Sequence, residues 1–231
     1  MFSNKPTPAP HSLRVLAALL RYPDADFRAA IPELVQALQR EAALPAARQE
    51  ELCSLLQRLQ RDDPFAVEAD FVDLFDRGRG TALHLFEHIH GDSRDRGPAM
   101  IDLQQTYERA GLYLAPGELP DHLSVVLEFA STQPAREARD FLAEIAHIAR
   151  AIFSALQRRQ STYASVLAAV LELAGERAER VEIPPEPELD EDWAEPEAFG
   201  GCSSAGQSRP EQPQPIHIVR KTRATQPGAQ A

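Results

Sequence analysis

The stretch FLAEIAHIARAIFSAL, residues 141–156, shows the pattern that decides the fold. Its apolar side chains recur three or four positions apart, at Phe141, Ile145, Ile148, Ile152 and Leu156. An α-helix turns once in about 3.6 residues, so this spacing places the five side chains on one face. The stretch therefore predicts an amphipathic helix with a buried apolar face.

The same spacing recurs on both sides of this stretch. It is found in these sets of residues: Leu13, Leu16, Leu20; Phe27, Ile31, Leu34, Leu38; Leu52, Leu55, Leu56, Leu59; Val72, Phe75; Met100, Leu103, Tyr107; Leu123, Val126, Leu127; Val166, Leu167, Val170, Leu171. No segment alternates apolar and polar residues with the period of two that indicates a strand. The sequence predicts an all-α fold, a single bundle of about eight or nine helices with short loops.

Residues that favour helix starts stand where several of these segments begin. Asp24 and Asp63 are suited to accept hydrogen bonds from first-turn amides, and Pro45 and Pro134 fit first-turn positions. By the same rule Asp121 is predicted to cap the helix that follows it.

Proline placement divides the chain into three regions. Residues 1–10 are predicted to be a flexible arm, and residues 11–181, with prolines only at segment borders, a helical domain large enough to fold alone. Residues 182–231 are rich in Pro, Gly, Ser and Gln and predict a disordered tail. Trp193 lies in its acidic half, as in a short docking motif or a segment that folds back onto the bundle.

Charge and apolar run length exclude several classes of protein. Lys and Arg number 24 against 35 Asp and Glu, a net charge of -11, which argues against nucleic-acid binding. The apolar runs are too short to cross a membrane, and the first residues lack the features of a secretory signal. Cys53 and Cys202 are predicted to be free thiols in a reducing cytosol, too few to build a four-thiolate zinc site or to hold an iron-sulfur cluster within one chain.

Two polar loops, residues 75–81 and 91–97, interrupt the helical pattern. Together they carry four arginines, three aspartates and four glycines, which predicts either a salt-bridged corner or a binding site, with the corner favoured by composition alone. Between them, His84, Glu87 and His88 match the H-x-x-E-H pattern of one class of zinc hydrolase. The alternative is that these histidines line a helix, with His88 and His90 hydrogen-bonded to the loop that follows.

Four stretches carry a resemblance to a known family: FVDLFDRGR at 71–79, LFEHIHGDSRDRG at 85–97, MIDL at 100–103 and ELPDHL at 118–123. They resemble the nitrate reductase molybdenum cofactor assembly chaperones, the NarJ family, within the redox-enzyme maturation chaperones. The resemblance implies an all-helical cytoplasmic chaperone without catalytic activity or a cofactor of its own. Its implied partner is the apo catalytic subunit of respiratory nitrate reductase, bound through its N-terminal segment before cofactor insertion and membrane attachment. Molybdenum cofactor delivery proteins are implied as further partners.

The resemblance also implies which residues bind the partner. The Pro-Asp-His segment of the family corresponds here to Pro120, Asp121 and His122, and proximity in the family fold adds a second set: Phe86, Glu87, His88, His90, Asp92, Arg94 and Asp95. Independently, an acidic helical bundle suits a basic client that lays an apolar helix face into a groove. The zinc hydrolase, and a helical adaptor that works through its acidic tail, are the alternatives.

Overall fold

The computed structural model describes residues 7–90 and 94–181 of the chain. These residues form ten α-helices: α1 Pro10–Leu19, α2 Ala25–Glu41, α3 Ala46–Arg61, α4 Pro64–Phe75, α5 Leu85–His90, α6 Arg96–Arg109, α7 Leu123–Thr132, α8 Ala135–Glu144, α9 Ala146–Arg158 and α10 Ala164–Ala174. A short 3-10 turn, Arg79–Thr81, precedes α5. The all-α prediction is confirmed. In the described ranges, no helix is both long and apolar enough to cross a membrane.

The helix count exceeds the eight or nine expected, because one predicted helix is two. The stretch 141–156 is divided at Ile145, whose backbone angles of φ -94° and ψ 0° end α8 and start α9. Both α8 and α9 pack against α10, so the apolar period runs across the break although the backbone bends. Spacing along the sequence reports the shared buried face and does not report the bend.

The core is organised around α10, which is buried on all sides. Val166, Leu167, Val170 and Leu171 are at most 1% exposed, and α1, α3, α8 and α9 all contact this helix. Burial of an aliphatic side chain of this size typically contributes about 1.5–3 kcal/mol. A second, smaller apolar cluster joins Tyr107 of α6 to α7, and α1 packs along α7 as well.

Most predicted helix starts are confirmed. The Asp24 carboxylate accepts a hydrogen bond from the Phe27 amide at 2.8 Å, and Asp63 accepts one from Ala66 at 3.0 Å. Pro45 and Pro134 each stand directly before the first helical residue, one position earlier than expected. The prediction for Asp121 is wrong, because His122 caps α7 and Asp121 serves another helix.

Contacts between distant residues close the bundle. The Glu41 carboxylate, at the end of α2, accepts hydrogen bonds from the His11 and Ser12 amides at 3.0 and 2.6 Å and so caps α1. At the polar corner 75–81, the Thr81 hydroxyl donates to the Leu74 carbonyl, and Arg159 at the end of α9 reaches the same carbonyl. The corner is therefore held by one hydrogen bond of its own and by one from Arg159, a distant part of the chain.

The predicted domain boundaries at residues 10 and 181 stay predictions. The first helix that the structure describes begins at Pro10. The predictions of a flexible arm and a disordered tail fall almost wholly on residues 1–6 and 182–231, which lie outside the described residues, as do Cys202 and Trp193.

Candidate functional site

Two segments implied as partner-binding are brought together by the fold. Residues 82–90 and 120–123 meet in an antiparallel bridge between His84 and His122. The Leu85 amide donates to the Asp121 carbonyl at 3.0 Å, and the Leu123 amide donates to the Leu83 carbonyl at 2.9 Å. We call this contact the α5–α7 junction. It places the N-terminal end of α5 beside the N-terminal end of α7.

Asp121 is the buried centre of the α5–α7 junction, with no exposed surface. One carboxylate oxygen accepts the Phe86 amide at 3.2 Å, and the other lies 3.3 Å from Nδ1 of His84. The Arg96 guanidinium lies 3.9 Å from the first of these oxygens. Asp121 therefore caps α5, a helix 35 residues earlier in the chain, instead of α7 as predicted.

The rings of His84 and His122 lie edge to face with centroids 4.9 Å apart, yet their pKa values are shifted in opposite directions. The hydrogen bond to Asp121 raises the pKa of His84 above its usual 6.5. Burial, reinforced by the nearby His84, lowers the pKa of His122 to about 4. Nδ1 of His122 accepts the Ser124 amide at 3.3 Å, which requires the neutral ring with its proton on Nε2. His122 thus caps α7 as a neutral group.

Tyr107 of α6 fixes the segment that enters the junction. Its hydroxyl donates to the Pro120 carbonyl at 2.9 Å, and burial raises the pKa of this phenol well above its usual range. Pro120 is buried together with Asp121, while His122 is partly exposed. Of the three residues of this implied motif, His122 is the one whose side chain a partner is able to touch.

The remaining implied residues differ in exposure. The ring of Phe86 is half-buried and lies 5.5 Å from that of His90, and Glu87 is exposed and 3.6 Å from Arg96. Arg94 and Asp95 are exposed at the start of α6. Asp92 lies outside the described residues.

The two histidines of the H-x-x-E-H pattern form hydrogen bonds with different parts of the chain. His84 bonds Asp121, whereas Nε2 of His88 donates to the Ala82 carbonyl at 2.9 Å. Across residues 7–90 and 94–181, no three His, Cys, Asp or Glu side chains are grouped so that they would hold a metal ion. His88 lies in α5 and bonds a backbone carbonyl that precedes this helix, whereas His84 stands one residue before the helix. Residues 91–93, part of the loop that His88 and His90 were expected to bond, lie outside the described residues, so that expectation stays a prediction.

A groove of about 330 Å³ lies beside the junction, and we call it the α1–α7 groove. Its apolar lining comprises Tyr107, Leu112, Tyr113, Leu114, Val125 and Phe129, and its polar lining Arg14, Glu118, Glu128, Ser131 and Thr132. Tyr107 is shared between the groove and the junction. The tyrosine at position 113 is 80% exposed, in a loop that runs between Gly111 and Gly117, two glycines with positive φ.

The groove was not predicted from the sequence because its lining comes from α1, α6, α7 and the loop between them. The local signal for it is the apolar run of Leu112, Tyr113 and Leu114 in a loop bounded by glycines. Leu112 and Leu114 pack against the apolar cluster of α6 and α7, and only Tyr113 between them is exposed.

The rim of the groove carries two glutamates that hold one arginine. The Arg21 guanidinium lies 2.7 Å from a Glu118 oxygen and 3.5 Å from a Glu128 oxygen. The other Glu118 oxygen accepts the Ala115 amide at 3.1 Å, which fixes the carboxylate in place. Near Thr132, Arg14 donates to the Ser131 hydroxyl at 3.3 Å. The groove is therefore apolar along its floor and charged at its edges.

Comparison with known proteins gives consistent matches. Residues 21–169 match the model of the nitrate reductase delta subunit family. The nitrate reductase molybdenum cofactor assembly chaperone NarJ of Escherichia coli K12 is 43% identical over 162 residues, which cover 70% of this chain and 69% of that protein. The nitrate reductase-like protein NarX of Mycobacterium tuberculosis H37Rv is 35% identical over 155 residues, 67% of this chain and 23% of that protein.

One solved structure shares the fold. A redox enzyme maturation protein from Archaeoglobus fulgidus superposes with a TM-score of 0.51 and 21% sequence identity. The match covers 76% of this chain and 98% of that protein. At this identity the likeness supports the all-helical architecture and nothing finer.

Proposed function

This chain belongs to the nitrate reductase delta subunit family, and from that premise we propose that it is an assembly chaperone for respiratory nitrate reductase. In this proposal it binds the N-terminal segment of the apo catalytic subunit in the cytoplasm. It holds that subunit while the molybdenum cofactor is inserted and before the enzyme attaches to its membrane anchor. The proteins that deliver the cofactor are its further partners.

The observation that carries the proposal is the α1–α7 groove beside the α5–α7 junction. Six apolar side chains from α6, α7 and the loop between them line an open groove, the arrangement that receives the apolar face of an amphipathic helix. The groove adjoins the segment that the family resemblance implies for partner binding, because Tyr107 contributes to both. A client helix in the groove would therefore lie next to His122.

Charge favours a basic client. The chain carries a net charge of -11, although the two glutamates at the rim of the groove are themselves paired with Arg21. Opposite charge on a client speeds encounter and sets orientation more than it raises affinity, since exposed ion pairs contribute only about 0.2–1 kcal/mol. Affinity is set by the apolar anchors, whose truncation at an interface commonly costs about 2 kcal/mol or more.

The buried members of the junction act on the client indirectly. Asp121 fixes the first turn of α5, and through it the half-buried ring of Phe86 and the exposed carboxylate of Glu87. Tyr107 fixes Pro120. In this proposal Phe86, Glu87, His90 and His122 form the edge of the client site, and Asp121 keeps that edge in place.

A titration with the full chain tests the proposal. The ligand is a synthetic peptide with the sequence of the first residues of the catalytic subunit, measured by calorimetry. We expect Y113A with L114A to weaken binding by about tenfold or more, which corresponds to about 1.4 kcal/mol. F65A is the matched control, because Phe65 is 81% exposed on α4 and lies outside the groove.

The outcomes separate clearly. Unchanged binding by the folded Y113A/L114A protein would place the client elsewhere on the bundle. Equal losses of affinity in Y113A/L114A and in F65A would show that the peptide binds exposed aromatic residues nonspecifically, wherever they lie on the surface. Failure of the wild-type chain to bind the peptide would remove the proposed function.

A further inference from the structure

Arg21 occupies the rim of the α1–α7 groove in a way that a client residue is able to copy. Its guanidinium contacts Glu118 and Glu128, two glutamates from separate parts of the chain. Both glutamates line the groove, whereas Arg21 does not. The chain thus contains a two-carboxylate site beside an apolar groove, and the structure shows that this site accepts a guanidinium.

We propose that Glu118 and Glu128 form the arginine-binding subsite of the groove, and that Arg21 fills it until a client arginine displaces it. The inference rests on the proposed function and names the chemistry that the groove selects. The client it fits is a helical segment with an apolar face and an arginine at the edge of that face.

The subsite is prepared for a planar cation. Glu118 is held by the Ala115 amide through one oxygen, which leaves its second oxygen directed at Arg21. A guanidinium has several N–H donors in one plane and is able to bond two carboxylates at once, whereas an ammonium group acts as a single point charge. The subsite should therefore prefer arginine to lysine.

Displacement of Arg21 is easy because all three side chains are accessible. The exposed fractions are 46% for Arg21, 33% for Glu118 and 45% for Glu128. An ion pair this exposed contributes little to stability, so exchange of one guanidinium for another is nearly balanced. A client that carries an arginine and an apolar face gains binding free energy from apolar contacts in the groove. Arg21 lies at the rim and does not make those contacts.

If Arg21 competes with the client, its removal should increase the affinity for the client, whereas a purely structural role of Arg21 would predict a decrease. Removal of Arg21 leaves the two carboxylates open to the client, so R21A should bind the client peptide about two to five times more tightly. E118Q with E128Q should bind it about three to ten times more weakly. Both changes should vanish for a peptide whose arginines are replaced by glutamine, since that peptide does not use the subsite.

The experiment is calorimetric titration of the full-length variants with three peptides of the client's N-terminal segment: the natural sequence, a form with lysine for every arginine and a form with glutamine for every arginine. A natural sequence without arginine would by itself overturn the proposal. R109A is the matched control, because Arg109 is an exposed arginine on α6 outside the groove. We expect R109A to behave as wild type and the lysine peptide to bind E118Q/E128Q and wild type with a smaller difference than the natural peptide does.

Weaker binding by R21A would show that Arg21 supports the groove instead of competing for it and would overturn the proposal. An equal loss for the natural and glutamine peptides in E118Q/E128Q would overturn it as well. In both cases the natural peptide still binds the wild-type chain, so the proposed function stands. Absence of binding to wild type would remove both.

Discussion

Replacement of Asp121 should reveal how much the α5–α7 junction depends on one buried carboxylate. Alanine at this position removes the acceptor for the Phe86 amide and for the His84 ring, which lie 3.2 and 3.3 Å from the carboxylate. A buried donor left without a partner costs about 1–3 kcal/mol. Because His84 is 30% exposed, water replaces part of the loss there. We expect D121A to lower the free energy of unfolding by about 2–4 kcal/mol.

Asparagine should be tolerated better. Its amide oxygen still accepts the Phe86 N–H, and its amino group is able to donate to His84 once that ring changes tautomer. We expect D121N to cost about 1 kcal/mol. It should also lower the pKa of His84, because the hydrogen bond to the carboxylate is the main cause of the raised value.

Urea unfolding followed by circular dichroism measures the stability, and NMR titration of the ring protons measures the pKa. D70A is the control, since Asp70 is exposed on α4 and should change stability by less than about 0.5 kcal/mol. If D121A and D70A proved equally stable, and the amides of α5 exchanged with solvent no faster in D121A, Asp121 would not be the cap of α5. Loss of client binding in D121A should then be assigned to direct contact, which its burial argues against.

Three further predictions concern other parts of the molecule. The free energy of unfolding should fall as pH drops from about 6.5 toward 4, because His122 binds a proton in the unfolded chain in this range and stays neutral in the folded chain. In urea titrations, H122Q should reduce the slope of the free energy of unfolding against pH. An unchanged slope would assign the pH dependence to other groups. E41A should lower the free energy of unfolding by about 1 kcal/mol, because it removes the cap of α1. E33A, on α2, is the control, and an equal loss of stability in E33A would show that Glu41 does not act as a cap. A strain without this protein should make the nitrate reductase catalytic subunit with little molybdenum cofactor, which metal analysis of the isolated subunit would show; a fully loaded subunit would contradict the proposed function.

Helices were predictable from the sequence wherever the information is local. The spacing of Ile148, Ile152 and Leu156 reports a period that each helix repeats along itself, and Asp24 and Asp63 cap helices that start at the next residue. Neither kind of inference needs knowledge of the remainder of the chain.

Asp121 shows where such inference ends. It precedes a helix and satisfies the local rule for a cap, yet its carboxylate bonds α5, to which only the fold brings it close. The α1–α7 groove was missed for the same reason. Its walls, which include Arg14, Tyr107 and Phe129, are assembled from segments that the sequence separates, and no local pattern records that they face one another.

The double use of Tyr107 restricts how this protein family is able to evolve. A mutation that reshapes the groove at this position also breaks the bond to the Pro120 carbonyl and so disturbs the junction. Tyr113 has no such second role, because its side chain is exposed, whereas Leu112 and Leu114 also pack against the apolar cluster that contains Tyr107. Divergence toward a new client should therefore accumulate first at Tyr113, while Tyr107 is retained. Exchange of this one side chain between relatives with different clients would change client preference without rebuilding the bundle.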